Sequence, residues 1–299
     1  MARISQPATS MASTGLLVGM GLMCCATQLL AAAPDVTFKE SVAKENAHKA
    51  VISIEVGAAQ LHLMAADQST LAELEILHNG ERTPRVSYRV EDGIGTCEIN
   101  NSNGDSGNSW NLFGNRNVND EDQWTVSLCR DLPIDLQVNF GMGSGDVDLG
   151  GMDLSHLEFM TGLSDVVLDF SKPCKGSLEN AELATGLGKM EVRSLGNAPF
   201  GTLDFSGGLG SAVLDFSGKL RRDMTVNLDV GMGSLTLRIP EDFGIKVRHE
   251  DNFFSKSEFS GLEKVSEDTW YSDNWQEAKG NLTFVLSVGM GSVKLERIP

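Results

Sequence analysis

The sequence predicts an all-β protein, a β-solenoid of short strand–glycine corner–strand units, on three observations. A Gly-x-Gly signature recurs at Gly141-Met142-Gly143, Gly162-Leu163-Ser164, Gly186-Leu187-Gly188, Gly208-Leu209-Gly210 and Gly231-Met232-Gly233, at spacings of 21, 24, 22 and 23 residues. A further copy stands at Gly289-Met290-Gly291 and a degenerate one at Gly57-Ala58-Ala59. Apolar residues alternate with polar ones on both sides of each signature. The spacings of three and four that a helix needs are missing. Self-similarity at such a period marks a repeat architecture.

In four of the units the positions five, three and one before the first glycine are apolar: Leu136, Val138, Phe140; Val226, Leu228, Val230; Ile52, Ile54, Val56; Phe284, Leu286, Val288. Those four, six and eight after it are apolar too, as in Val166, Leu168, Phe170 and Leu235, Leu237, Ile239. Each half therefore reads as a strand with one buried face. The gap between the two sets is odd, so an unbent strand would send the second set to the opposite face. A corner must intervene, and glycine supplies it, since it reaches positive φ without a Cβ clash. Two architectures fit. Coils can stack in parallel as a solenoid, or the glycines can be hairpin loops of an antiparallel sandwich. The near-constant period and the matched residue sizes in matching slots favour the solenoid.

Taken in order, residues 1–32 read as an export signal. They carry a single charge, Arg3, then an apolar run from Gly15 closed by Ala31-Ala32-Ala33, with cleavage expected after Ala32. The alternative is an uncleaved anchor. Residues 33–132 are expected to form a less regular N-terminal β-domain. In it Phe38–Ala47 is ambiguous, Leu71–Asn79 is strand or helix, and strands are expected near Pro84–Tyr88, Cys97–Ile99 and Trp124–Leu128. Asn100–Asp122, rich in Asn, Gly, Ser and Asp, reads as an exposed loop. Residues 133–299 are expected to hold the repeat domain, interrupted from Glu241 to Gly280 by an aromatic and charged stretch that suits a cap.

The chain of 299 residues carries a net charge of −17, and removal of the signal with Arg3 leaves −18. Such acidity opposes nucleic acid and anionic membrane surfaces as partners. No second apolar run long enough to span a bilayer exists in the mature chain. Cys97, Cys129 and Cys174 remain after cleavage, too few for a disulfide framework or a zinc site. Cys97 and Cys129 are candidates for one disulfide, with three free thiols as the alternative.

The units from Val138 to Leu149, Gly208 to Phe216 and Gly231 to Pro240 resemble those of the toast-rack family, exported bacterial β-solenoids with a distinct N-terminal domain. Val56-Gly57-Ala58, Pro84-Arg85-Val86 and Trp124–Pro133 resemble that domain. The C-terminal strands are similar to the C-terminal domain of regulators of the response to cell-wall-active antibiotics. The resemblance implies no catalytic residues.

No catalytic, cofactor or metal site is expected. None of the five histidines stands in a nucleophilic or metal-ligand motif. The glycine loops lead into strands, whereas phosphate cradles lead into helices. Calcium β-rolls repeat every nine residues, not every 22 or so. The charged positions seven after the glycine (Asp148, Asp169, Arg193, Asp215, Arg238) are read as a surface ladder. Trp110, Trp270, Tyr271 and Trp275 are the candidates for stacking on a glycan, with core or cap packing as the competing role. The function expected is a non-catalytic structural or binding module of the bacterial envelope, periplasmic or at the cell surface, meeting an envelope component or another envelope protein. A regulator of envelope stress and a polysaccharide-active enzyme are the alternatives.

Overall fold

The computed structural model describes residues 36–78, 83–101, 122–176, 178–249 and 255–299, to which everything below refers. The export signal, Trp110 and most of the expected loop between Asn100 and Asp122 lie outside them. Seventeen strands follow one another: β1 (Val36–Ala43), β2 (Lys49–Ala66), β3 (Thr70–His78), β4 (Arg85–Glu91), β5 (Ile94–Asn100), β6 (Asp122–Cys129), β7 (Ile134–Asp148), β8 (Leu154–Asp169) and β9 (Asn180–Arg193). They continue with β10 (Thr202–Asp215), β11 (Met224–Pro240), β12 (Gly244–His249), β13 (Lys256–Phe259), β14 (Leu262–Lys264), β15 (Thr269–Ser272), β16 (Asn281–Val288) and β17 (Ser292–Ile298).

The long strands β2, β7, β8, β9, β10 and β11 each run through a glycine corner. They pair in parallel along both halves, so that Leu136 faces Leu157, and Val147 faces Leu168. In β11 the buried residues are Met224, Val226, Leu228 and Val230 before the corner, and Leu235, Leu237 and Ile239 after it. The switch of phase across the glycines folds two sheets over one core, as the odd gap requires. Matching residues stack into columns: Leu157, Ala181, Leu203 and Val226 in one, Leu168, Val192, Leu214 and Leu237 in another. The links that return the chain to the first sheet close the far side with buried Phe170, Phe200 and Phe216, the last packed edge-to-face on Phe284 at 5.4 Å. The solenoid is the architecture adopted, and the antiparallel sandwich is not.

Glycine is needed at the corner for two reasons. Gly143, Gly188 and Gly210 hold φ of +123°, +123° and +143°, values that residues with a Cβ rarely adopt. At Gly186, where φ is ordinary, a Cβ would lie 2.8 Å from the carbonyl oxygen of Gly162 in the next coil.

The coils do not stack in sequence order. β2 lies between β7 on one side and β5 with β6 on the other, so a later strand pair forms the outer level. At the opposite end β16 and β17 lie against β11, while β12 and β13 stack outside them. The stretch expected as a cap thus contributes one more coil plus the β14–β15 hairpin, whose β15 runs antiparallel on β12. Antiparallel strands finish the first end: β3 on β6, β1 on β3, and β4 on β5. The described residues cluster as one compact unit, and the boundary expected near Pro133 falls between β6 and β7, both of which pair with β2.

Candidate binding surface

The central residue of each corner, which follows the first glycine, points away from the core. Register places Ala58, Met142, Leu163, Leu187, Leu209 and Met232 side by side across six successive coils. The Met290 amide donates to the Gly231 carbonyl at 2.8 Å and carries the line one coil further. Glycine on both sides of Met142, Leu187, Leu209, Met232 and Met290 offers no side chain to cover them. Leu163, Leu187, Leu209 and Met232 are each 44% exposed and Met290 55%. The result is a straight apolar rib along the apex of the solenoid.

Its borders carry three charges among twelve positions, only one of them basic. Two positions beyond the central residue stand Ser144, Asp165, Lys189, Ser211, Ser234 and Ser292. Three positions before it stand Asn139, Met160, Ala184, Ser206, Asp229 and Ser287. Asp165 accepts a hydrogen bond from the Lys189 amide at 3.0 Å. Charge is concentrated further out on the second sheet. There Asp169 neighbours Arg193, Asp215 neighbours Arg238, and Arg238 meets Glu296 at 3.9 Å. Arg193 also holds Glu191 at 2.8 Å, and that hydrogen bond keeps the Glu191 carboxyl below its usual range while raising Arg193. The expected charge ladder is therefore present from Asp169 onward. Before it, Asp148 and Asp169 are like-charged neighbours, and Asp148 is satisfied instead by the Ser171 hydroxyl at 2.6 Å and the Gly150 amide at 2.8 Å.

The aromatic candidates divide between two places. Trp270 packs with Phe259 at 5.1 Å, and the Lys264 ammonium sits 4.6 Å from its ring centre. Tyr271 meets Trp275 edge-on at 5.3 Å, with Lys246 over its ring at 5.4 Å. Adjacent residues of a strand point to opposite faces, so the three do not form one stacking platform. All are half-buried.

Cys97, Cys129 and Cys174 are buried free thiols, and the pairing considered for Cys97 with Cys129 is not formed. Burial, helped by Glu98, pushes the Cys97 thiol up to about 12, and burial takes Cys174 to about 11. Among the described residues no three His, Cys, Asp or Glu side chains gather where they could hold a metal ion. A groove of about 520 Å³ opens between β1 and β4, lined by Phe38, Glu40, Arg85, Val86, Glu98 and Asn100 among others. Sequence reasoning singled out the corner glycines but not the residues between them. The signal for the rib is that those positions are Met or Leu in six of the seven signatures.

Three comparisons bear on this architecture. Residues 31–193 match the model of the N-terminal domain of toast_rack, DUF2154. No curated protein matches the chain in sequence. Among solved structures, a candidate cell-adhesion protein from Clostridium sporogenes is 17% identical, over 89% of this chain and 100% of that one, with a TM-score of 0.49. A candidate adhesin from Bacteroides fragilis is 12% identical, over 88% and 97%, with a TM-score of 0.36. A candidate lipid-binding protein from Parabacteroides distasonis is 11% identical, over 88% and 96%, with a TM-score of 0.35. The family match spans more than half of the chain, from the lead-in to β1 through β9 with its three glycine corners after Gly57, and the chain belongs to the toast-rack family.

Proposed function

We propose that this protein is an exported, non-catalytic β-solenoid that serves as a structural or binding module of the bacterial cell envelope. The observation that supports it most is the corner rib. An apolar side chain is turned toward solvent at the same position in coil after coil, where the core gains little from it. An exposed apolar line of this kind marks an interaction surface, and parallel stacking repeats it at each level. In this reading residues 1–32 direct export and are removed.

The test is co-sedimentation of the purified protein with separated peptidoglycan and membrane fractions, at low and high salt. Parallel incubations with envelope polysaccharides are assayed for released sugar. Salt-resistant sedimentation with either fraction, without sugar release, is the expected result. Sedimentation with neither fraction, or turnover of a polysaccharide, overturns the proposal.

A further inference from the structure

The geometry points to a lipid surface with no net headgroup charge as the partner of the corner rib, an assignment that rests on the envelope-binding reading above. Shape removes the small-molecule alternative. The rib is the convex apex of a corner, whereas small ligands are held in concave sites that bury most of their surface. Width argues against a second protein. Half-buried Met142 and the five exposed Leu and Met side chains offer on the order of 500 Å² of apolar surface, comparable to the apolar share of the roughly 800 Å² per partner that a stable pair buries, but drawn out along a line. That surface is one side chain wide, which leaves a rigid partner nothing to interlock with on either side.

A fluid lipid surface needs no such complement. Parallel coils lie about 4.8 Å apart, so the line from Met142 to Met290 runs for about 24 Å, long enough to lie along a membrane plane. Its side chains are unbranched Met and γ-branched Leu, which adapt to an irregular contact. The twelve bordering positions then decide the headgroup. They carry Asp165, Lys189 and Asp229 and otherwise Ser, Asn, Ala and Met. No basic cluster waits there for phosphate or carboxylate, and the chain's net charge of −17 repels an anionic layer. Contact is therefore by apolar insertion alone, with salt nearly irrelevant.

The experiment measures sedimentation of the full protein with phosphatidylcholine vesicles and with vesicles that also contain phosphatidylglycerol, each at low and high salt. Wild type is expected to bind phosphatidylcholine equally at both salts and to gain nothing from the anionic lipid. The combined replacement Leu163→Gln, Leu187→Gln, Leu209→Gln and Met232→Gln is expected to lower vesicle affinity by on the order of a hundredfold. Leu163→Met, Leu187→Met and Leu209→Met together are expected to retain it. Because these side chains are 44% exposed and outside the core columns, both variants are expected to keep the wild-type circular dichroism and a single cooperative thermal transition, shifted down for the Gln variant but well above the assay temperature, which separates lost contact from lost fold. Three results overturn the assignment: vesicle binding that the Gln variant retains, binding that needs phosphatidylglycerol and vanishes in salt, or a dimer in sedimentation velocity that the Gln variant abolishes. Failure with every vesicle alongside continued sedimentation with peptidoglycan removes the lipid assignment and leaves the envelope-module reading intact. Failure with both removes the two together.

Discussion

Replacing Gly210 with alanine tests whether the corners hold the coils together. Gly210 has φ +143°, and a Cβ there would overlap the carbonyl oxygen of Gly188 in the adjacent coil. Forcing a residue other than glycine into such a conformation costs about 1–3 kcal/mol. Relieving the overlap moves two parallel strands apart and forfeits roughly one ladder hydrogen bond, about 1 kcal/mol. Against this, alanine restricts the unfolded chain and returns about 0.4–1 kcal/mol. The net loss is about 1–3.5 kcal/mol, centred on about 2 kcal/mol. With an m-value of about 3 kcal/mol/M, the urea midpoint should fall by somewhat under 1 M at unchanged slope. The assay is urea unfolding followed by far-UV circular dichroism, with Leu209→Ala as the companion variant. Leu209 is 44% exposed and lacks the positive φ, so truncating it should cost about 1 kcal/mol or less. If Gly210→Ala proves no more destabilising than Leu209→Ala, the close approach at the corner does not support the stack and the reasoning fails.

Two further outcomes are expected. Cys97 and Cys174 should resist iodoacetamide at pH 8 in the native protein and react fully in urea, as mass spectrometry would show. Burial raises both thiols, so their contribution to stability is complete below the ordinary thiol value of 9.0 and is lost as pH climbs toward about 11 and 12. Native alkylation at the folded-state pH would contradict that burial. Thr185→Val should stabilise the protein by about 1 kcal/mol in thermal unfolding, because the Thr185 hydroxyl oxygen is buried without a hydrogen-bond partner. A loss of stability there would mean that the hydroxyl is satisfied in solution.

The coil itself was readable because period-two alternation and the odd gap at the glycines leave little freedom. Leu136, Val138 and Phe140 had to share a face, and the corner had to return Val147 to it. The stacking order was not readable. Nearly identical apolar columns make any coil a plausible neighbour for any other, so nothing local in β2 says that β5 and β6 will cover its outer edge. β1 was ambiguous for a different reason. It is an edge strand on β3 with mostly exposed residues, so it lacks the alternation that marks a half-buried strand. β12 carries no glycine signature and follows Pro240, and its Ile245 and Val247 stack outward of β16, a strand that comes later in the chain. The rib was half legible. The Met and Leu residues were seen as part of the glycine signature, but their exposure follows from the phase change at the corner and became visible only once the coils were in register.

The out-of-order stacking bears on how the molecule would respond to force and to synthesis from one end. A solenoid wound in sequence order can peel from a terminus, one turn at a time, like thread leaving a spool. Here a pull on the segment holding β16 and β17 acts on strands flanked by β11 on one side and by β12 and β13 on the other. Both ladders must slide at once, a shear that resists far more than unzipping a single edge. The same wedge means that β12 and β13 cannot reach their final neighbours until β16 and β17 have emerged. The outermost turn is set late, from inside.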